Sequence, residues 1–453
     1  MTPVPFFRAR AAAAYTAMLL GAVALFLLIR SYGESLPPPA GSLPRALGPA
    51  PATPDLLWHL LLALTAVIVA GRCLGFLFRH LGQPPVIGDV VAGILLGPSL
   101  LARLAPGPHQ YLLPPEIAPF LGVLAQLGVI VYMFLVGVEL NSDRLRGHVH
   151  ASIATSHASI LLPFVLGSAL ALYLYPMFAP GGVPFTHFAL FLGIAMSITA
   201  FPVLARILAD QGMTGSRLGV LALTCAAVDD VTAWCLLAFV VGVVNATGRS
   251  ALLVAALTIS FIAFVFLTVR PFFTRLVSSP GGSTPGAFTI ALIAMLASAL
   301  VTEAIGVHAI FGAFLLGAVI PNNSELARSL KQSGELVVVL LLPAFFAFTG
   351  MRTEIGLVSG IREWMICALI VLVATVGKFG GTAVAARASG LGWRDAAGLG
   401  VLMNTRGLME LIVLNVGLDL GVISPTLFTM MVLMALATTM ATTPILQRLV
   451  PAR

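Results

Sequence analysis

Two adjacent carboxylates, Asp229 and Asp230, stand in the middle of an apolar run, Cys225-Ala-Ala-Val-Asp-Asp-Val-Thr-Ala-Trp234. Away from water they cannot cheaply both stay ionised, because desolvation and mutual repulsion act together. Their oxygens can hold protons or a dehydrated alkali cation. If a proton and a cation compete for the same oxygens in a site open to one side at a time, the two are exchanged. Consecutive residues point about 100° apart on a helix, so an ion is expected to meet mainly one of the two. The alternative is a structural pair neutralised by Lys378 or Arg406.

Lys378 lies in Val376-Gly-Lys378-Phe-Gly-Gly381, where flanking glycines let another helix come close. Its ammonium can pair with an aspartate and be released when a cation binds, or it can snorkel to the end of its span. Ser197-Ile-Thr199-Ala-Phe-Pro202-Val-Leu-Ala-Arg206 places a proline and two hydroxyls inside an apolar run. A broken helix is expected there, with freed carbonyls, helix ends, Ser197 and Thr199 available to a cation. Its counterpart, Met403-Asn404-Thr405-Arg406-Gly407-Leu-Met-Glu410, carries charges and a glycine instead. Arg406 and Glu410 are four apart and can pair along one helix face, in a structural or a functional role. Arg72 is expected to reach the cytoplasmic face, Asp89 and Glu139 to support or gate the site, and Glu303 and His308 to border a short turn as packing groups. Cys73, Cys225, Cys235 and Cys367 show no metal-ligand spacing. Neither a catalytic set, a cofactor nor a bound metal beyond a transported monovalent cation is expected.

The elements that must position these residues are membrane helices. Of the chain, 59% is hydrophobic and only 9% charged, against about 25% charged in soluble domains. A β-barrel would alternate in short segments, which this sequence does not. The net charge of +7 is spread between apolar runs, so it predicts a lipid bilayer as the environment and not nucleic acid as a partner.

Apolar runs fall at 11–31, 55–78, 86–105, 117–139, 152–176, 187–208, 217–246, 251–277, 286–303, 305–321, 334–352, 363–388, 396–416 and 424–446, each near the length that crosses about 30 Å of hydrocarbon. Arg8 and Arg10 before the first run also describe a signal peptide, but its uncharged stretch is long for one, and a retained helix is expected. Residues 32–54 hold seven prolines and read as a stiff linker. Of the 24 Lys and Arg, three (Arg72, Lys378 and Arg406) lie within spans. With the N-terminus inside, six (Arg30, Arg45, Arg103, Arg249, Arg352 and Arg362) fall outside and the other fifteen inside, as the positive-inside rule requires. Residues 447–453 are expected to be a short cytoplasmic tail.

A weak internal repeat sets Gly82, Gly88 and Gly93 at the same spacing as Gly306, Gly312 and Gly317, and Phe134-Leu-Val-Gly137 is answered by Phe348-Thr-Gly350. The copies lie seven spans apart, which makes them inverted in the membrane, the plan of alternating-access carriers. Repeats of about 55–246 and 279–446 are expected. A passive cation channel would want a pore loop or a charged ring. An intramembrane enzyme holding a metal-diphosphate on Asp229 and Asp230 would want a second acidic cluster. Neither feature is found in the sequence.

The segments Ser197 to Leu208 and Met403 to Asn415 resemble signatures of the cation/proton antiporter 2 family, the second being especially similar to its plant and fungal cation/H⁺ exchanger branch. Gly82-Gln-Pro-Pro-Val-Ile-Gly88, Phe134 to Glu139, Pro343-Ala-Phe-Phe346 and Gly377-Lys-Phe-Gly380 match as well. The resemblance covers about 55–446. It implies an all-α polytopic membrane protein with an inverted-repeat, sodium/proton-antiporter-like fold of about 13 core helices. The family fold has a core domain with two crossing broken helices and a dimerisation domain, moves as an elevator and forms homodimers. It further implies proton and cation exchange at Asp230 with help from Asp229, an ion pair to Lys378, and cation coordination near Thr199. The helix at 11–31 and its linker (1–54 together) are extra to that core. The acidic pair with Lys378 resembles sodium/proton members, whereas Met403 to Asn415 resembles members that move potassium, so the cation stays open. A bacterial inner membrane is the expected location.

Overall fold

The computed structural model describes residues 5–36, 56–139, 149–244, 251–278 and 285–449. Most of the proline-rich linker, residues 37–54, and residues 140–148 and 245–250 lie outside these. Among the described residues every regular element is helical. The helices used below are α1 (Pro5–Gly33), α2 (Leu56–His80), α3 (Pro85–Leu96), α4 (Ala118–Glu139), α5 (Val149–Phe178), α6 (Phe185–Ser197), α7 (Phe201–Asp210) and α8 (Arg217–Val244). They continue as α9 (Leu253–Ser278), α10 (Pro285–Ile305), α11 (Ala309–Val319), α12 (Glu325–Arg352), α13 (Ile361–Ala388), α14 (Trp393–Met403), α15 (Leu408–Asp419) and α16 (Pro425–Leu449).

Among the described residues twelve stretches are long and apolar enough to cross a membrane, and α14 with α15 makes one further span bent by 44°. The tenth expected span, 305–321, holds the shorter helix α11. It starts after Gly306, whose φ of +101° no side chain adopts easily, and it ends before Pro321. Its 11 residues rise about 17 Å as a helix. The protein is an integral multi-pass membrane protein. The first apolar run lies in α1, which continues to Gly33.

The chain forms two compact units. One holds residues 1–44, 147–233 and 360–453, and the other 45–146 and 234–359, the division falling inside α8. In the second unit backbones meet at glycines. A Cβ on Gly93 of α3 would lie 2.1 Å from the Phe346 carbonyl oxygen of α12, and one on Gly350 would lie 2.0 Å from the Gly93 carbonyl carbon. The same contact recurs between α4 and α11, where a Cβ on Gly317 would lie 2.1 Å from the Phe134 oxygen and one on Gly137 2.3 Å from the Phe314 oxygen. Gly93 corresponds to Gly317, and Gly137 to Gly350, in the repeat read from the sequence. Close packing through small residues is how membrane helices associate where lipid gives no hydrophobic drive.

In the first unit α1 lies on α5 and α6. The Phe26 and Phe164 rings sit 5.7 Å apart, Gly33 makes room for the Phe185 ring, and Thr186 donates a 2.8 Å hydrogen bond to Glu34. Two further devices prepare the site. Pro202 is the second residue of α7, where its missing N–H is one the helix start would leave unpaired anyway. The proline therefore opens a new helix after the break instead of kinking an existing one. In α13 a π-helical turn, Val376–Gly380, carries Lys378, and such turns gather at functional positions.

Candidate functional site

The site is built inside the first unit, where α6 and α7 break at 198–200 and α14 and α15 break at 404–407. The breaks cross. The Ala200 N–H donates to the Thr405 carbonyl at 2.9 Å, and the Thr199 hydroxyl lies 3.0 Å from the Met403 carbonyl. A Cβ on Gly407 would come 2.8 Å from a Val203 methyl, so the crossing leaves no space for a side chain there. Unwound backbone in a membrane must find partners for its polar groups, and each break supplies some of the other's.

Asp229 and Asp230, on α8, diverge as their helical positions dictate. Asp229 is fully buried and saturated. Its Oδ1 accepts from Ser156 at 2.5 Å. Its Oδ2 accepts from Ser159 at 2.7 Å, Thr199 at 2.9 Å and the Lys378 ammonium at 2.8 Å. Lys378 is also fully buried and does not snorkel. Its remaining donors go to the Ser197 carbonyl and, at 3.5 Å, to the Ser159 hydroxyl. Gly377 and Gly381 let α13 approach α5 here. Added Cβ atoms would lie 2.8 Å from Pro163 Cα and 2.8 Å from the Ala158 carbonyl oxygen.

Asp230 contrasts with its neighbour. It is buried, and neither carboxylate oxygen has a hydrogen-bond partner. The Phe201 backbone N–H, at the start of α7, interacts with it outside hydrogen-bond geometry. A helix N-terminus favours negative charge, but an ionised carboxylate buried without a partner is very costly. Asp230 is therefore the group in the site that calls for a proton or a cation.

Arg406 and Glu410 pair as their spacing requires, at 2.9 Å, both fully buried. Arg406 does more than the sequence suggests. Its Nη1 donates to the Ala195 carbonyl at 3.1 Å and its Nη2 to the Met196 carbonyl at 2.6 Å. With Lys378 on the Ser197 carbonyl, the last three carbonyls of α6 all face cations. These are the groups a helix C-terminus leaves unsatisfied, at its negative end. Glu410 Oε1, Arg406 Nε and Asn404 Oδ1 are buried without a protein partner.

Ser197 reaches Lys378 through its backbone. Its hydroxyl donates to backbone, at 2.7 Å from Gly193 O and 3.0 Å from Ile160 O, and it is its carbonyl that enters the site. Ser156 and Ser159 were missed. They are three apart on α5, a hydroxyl stripe that could have drawn notice in Thr155-Ser156-His157-Ala158-Ser159. Among the weaker candidates, Arg72 is exposed, Glu139 faces Lys331 at 3.9 Å, Asp89 lies over Gly71, and Glu303 accepts the Ala309 N–H at 2.8 Å where α11 begins.

Two crossed helix breaks around buried, oppositely charged side chains define a secondary transporter of the inverted-repeat antiporter class. The family model for "Sodium/hydrogen exchanger, transmembrane" matches residues 60–450, and the chain belongs to that family. It is 46% identical over 404 residues to the Na⁺/H⁺ antiporter NhaS4 of Synechocystis sp., covering 87% of this chain and 98% of that one. It is 39% identical to cation/H⁺ antiporter 17 of Arabidopsis thaliana over 85% of this chain and 48% of the relative, spanning about half of that protein. The solved sodium proton antiporter MjNhaP1 of Methanocaldococcus jannaschii has the same fold, with a TM-score of 0.66 at 12% identity over 86% of this chain and 96% of that one.

Proposed function

We propose that the chain exchanges protons for Na⁺ or K⁺ at Asp230, with Asp229 and Lys378 as the fixed, mutually neutralised scaffold of the ion site. Family membership makes the protein a cation/proton antiporter and not an enzyme. The observation that carries the site assignment is the contrast between the two neighbours. Asp229 has four donors, whereas Asp230 has no hydrogen bond. A carboxylate left in that state binds H⁺ or a monovalent cation, one at a time, and this competition couples the two fluxes. Three carboxylates (Asp229, Asp230 and Glu410) face two cations (Lys378 and Arg406), so one added monovalent charge neutralises the buried cluster.

Around the ion, Thr199 and the break at 404–407 with Asn404 supply further oxygens, and Pro202 and Arg406 hold the two breaks open. The compact unit carrying the site is the moving core and the other unit the scaffold that dimerises with a second copy. The recurrent Gly93–Gly350 and Gly317–Gly137 contacts support inverted repeats of about 55–246 and 279–446. Residues 1–54 add a helix to the core, both termini face the cytoplasm, and the membrane is a bacterial inner membrane.

The test is transport in liposomes enclosing a pH dye. Outside Na⁺ or K⁺ should raise the internal pH with the wild type and not with Asp230→Asn, and the ion giving the larger response is the substrate. An unchanged response from the variant, or none from folded wild type, contradicts the assignment.

A further inference from the structure

We infer that Thr439, on α16, is a positioning residue for ion exchange: its hydroxyl bridges the unwound backbone at Arg406 and thereby holds the guanidinium that caps α6 beside Lys378. The inference rests on the site assignment above. Thr439 Oγ1 lies 2.6 Å from the Arg406 carbonyl oxygen and 2.8 Å from the Ala435 carbonyl oxygen of its own helix, its one hydrogen serving the nearer, Arg406, and it accepts from the Arg406 N–H at 3.1 Å. A single hydroxyl thus replaces both helical hydrogen bonds that this residue loses where α14 stops.

From there the path to the acidic pair is continuous and buried. The Arg406 side chain holds the Ala195 and Met196 carbonyls. The next carbonyl, Ser197, takes the Lys378 ammonium, and that ammonium takes Asp229. A shift of the Arg406 backbone moves the end of α6, and with it one of the three acceptors of Lys378. The ridge that presents Thr439 is rich in threonine, with Thr438, Thr439, Thr442 and Thr443 all buried. These four are not equivalent. The Thr438 hydroxyl is within bonding distance of its own helix, at 2.9 Å from Met434 O and 3.1 Å from Ala435 O, the common fate of a threonine in a membrane helix. Thr442 meets Thr405 at the loose distance of 3.4 Å. Thr439 alone of the four has short hydrogen bonds to the break.

The pair Thr438 and Thr439 gives an internal control, because the same chemical change can be made at one depth on adjacent residues. Thr439→Val removes both hydrogen bonds while keeping the shape. With both bonds lost, the cation concentration for half-maximal exchange should rise about thirtyfold, the equivalent of roughly 2 kcal/mol. Thr438→Val should stay within about twofold of wild type. Thr439→Ser, which keeps the hydroxyl, should restore the wild-type value, a rescue that a purely space-filling role would not give. Transport is measured per folded chain in liposomes, with Asp230→Asn alongside. If Thr439→Val does not fold, Thr439→Cys takes its place, and exchange should weaken with the poorly donating thiol while Thr439→Ser stays at the wild-type value. Equal behaviour of Thr438→Val and Thr439→Val, or failure of serine to rescue, overturns the inference. If instead Asp230→Asn transports normally, the site assignment fails, and the comparison of the two threonines still reports on Thr439.

Discussion

Replacing Lys378 with methionine removes a buried ammonium and leaves Asp229 with three hydroxyl donors and no counter-charge. Breaking a buried ion pair from one side costs about 3–5 kcal/mol. The surviving hydroxyls stabilise a charged carboxylate by about 1.5–3 kcal/mol each, so the loss should fall at the lower end, about 3 kcal/mol. Asp229→Asn should cost a similar amount, since it strands the ammonium on the Ser197 carbonyl and a distant Ser159 hydroxyl. In the double variant no charge is stranded, and the amide still accepts hydroxyl hydrogen bonds. The two changes should therefore be less than additive, with a coupling of about 2–4 kcal/mol. The assay is reversible unfolding of the four proteins in mixed detergent micelles, followed by helix signal. A coupling under about 0.5 kcal/mol, the range in which independent sites add, would refute the reasoning.

Ser156→Ala and Ser159→Ala each delete a donor to Asp229, and each should raise the cation concentration for half-maximal exchange about tenfold or more; dye-loaded liposomes report it. Gly93→Val and Gly317→Val each force a side chain into a carbonyl contact of 2.1 Å and should lower stability by at least about 1–3 kcal/mol. Gly21→Ala, whose added carbon meets nothing within 4 Å, should leave the melting temperature unchanged. Arg406→Lys keeps the charge but loses the two-pronged grip on Ala195 and Met196. It should slow exchange markedly while the protein still reconstitutes, as measured by initial rates.

The helices were legible because apolar length fixes a span. The expected runs at 217–246 and 424–446 appear as Arg217–Val244 and Pro425–Leu449. The run at 305–321 holds a helix shorter than the run itself, because composition reports apolarity and not length, and Gly306 and Pro321 bound the helix inside it. At the site, rarity was the signal. Charges are costly in a membrane, so Asp229, Asp230, Lys378, Arg406 and Glu410 drew notice, and the structure gathers all five in one unit. Hydroxyls cost little there and usually bond to their own helix, so Ser156, Ser159 and Thr439 were hidden among many equivalents. Freed carbonyls are expected at the break, but residue type does not say which of them turns inward; the Ser197 carbonyl, on Lys378, is one. Which aspartate Lys378 would hold was likewise hidden, since adjacent positions look alike in sequence and differ only by the helical rotation that turns Asp229 towards α5 and Asp230 towards α7.

The central claim is that a proton and a cation occupy Asp230 in turn, and the direct test is proton release on cation binding. Purified protein in lightly buffered detergent solution is mixed with Na⁺ or K⁺ and a pH dye, without any membrane gradient. Wild type should release protons in proportion to the cation bound, and Asp230→Asn should release none while Lys378 and Asp229 remain in place. Cation binding without proton release, or equal release from the variant, would contradict the account.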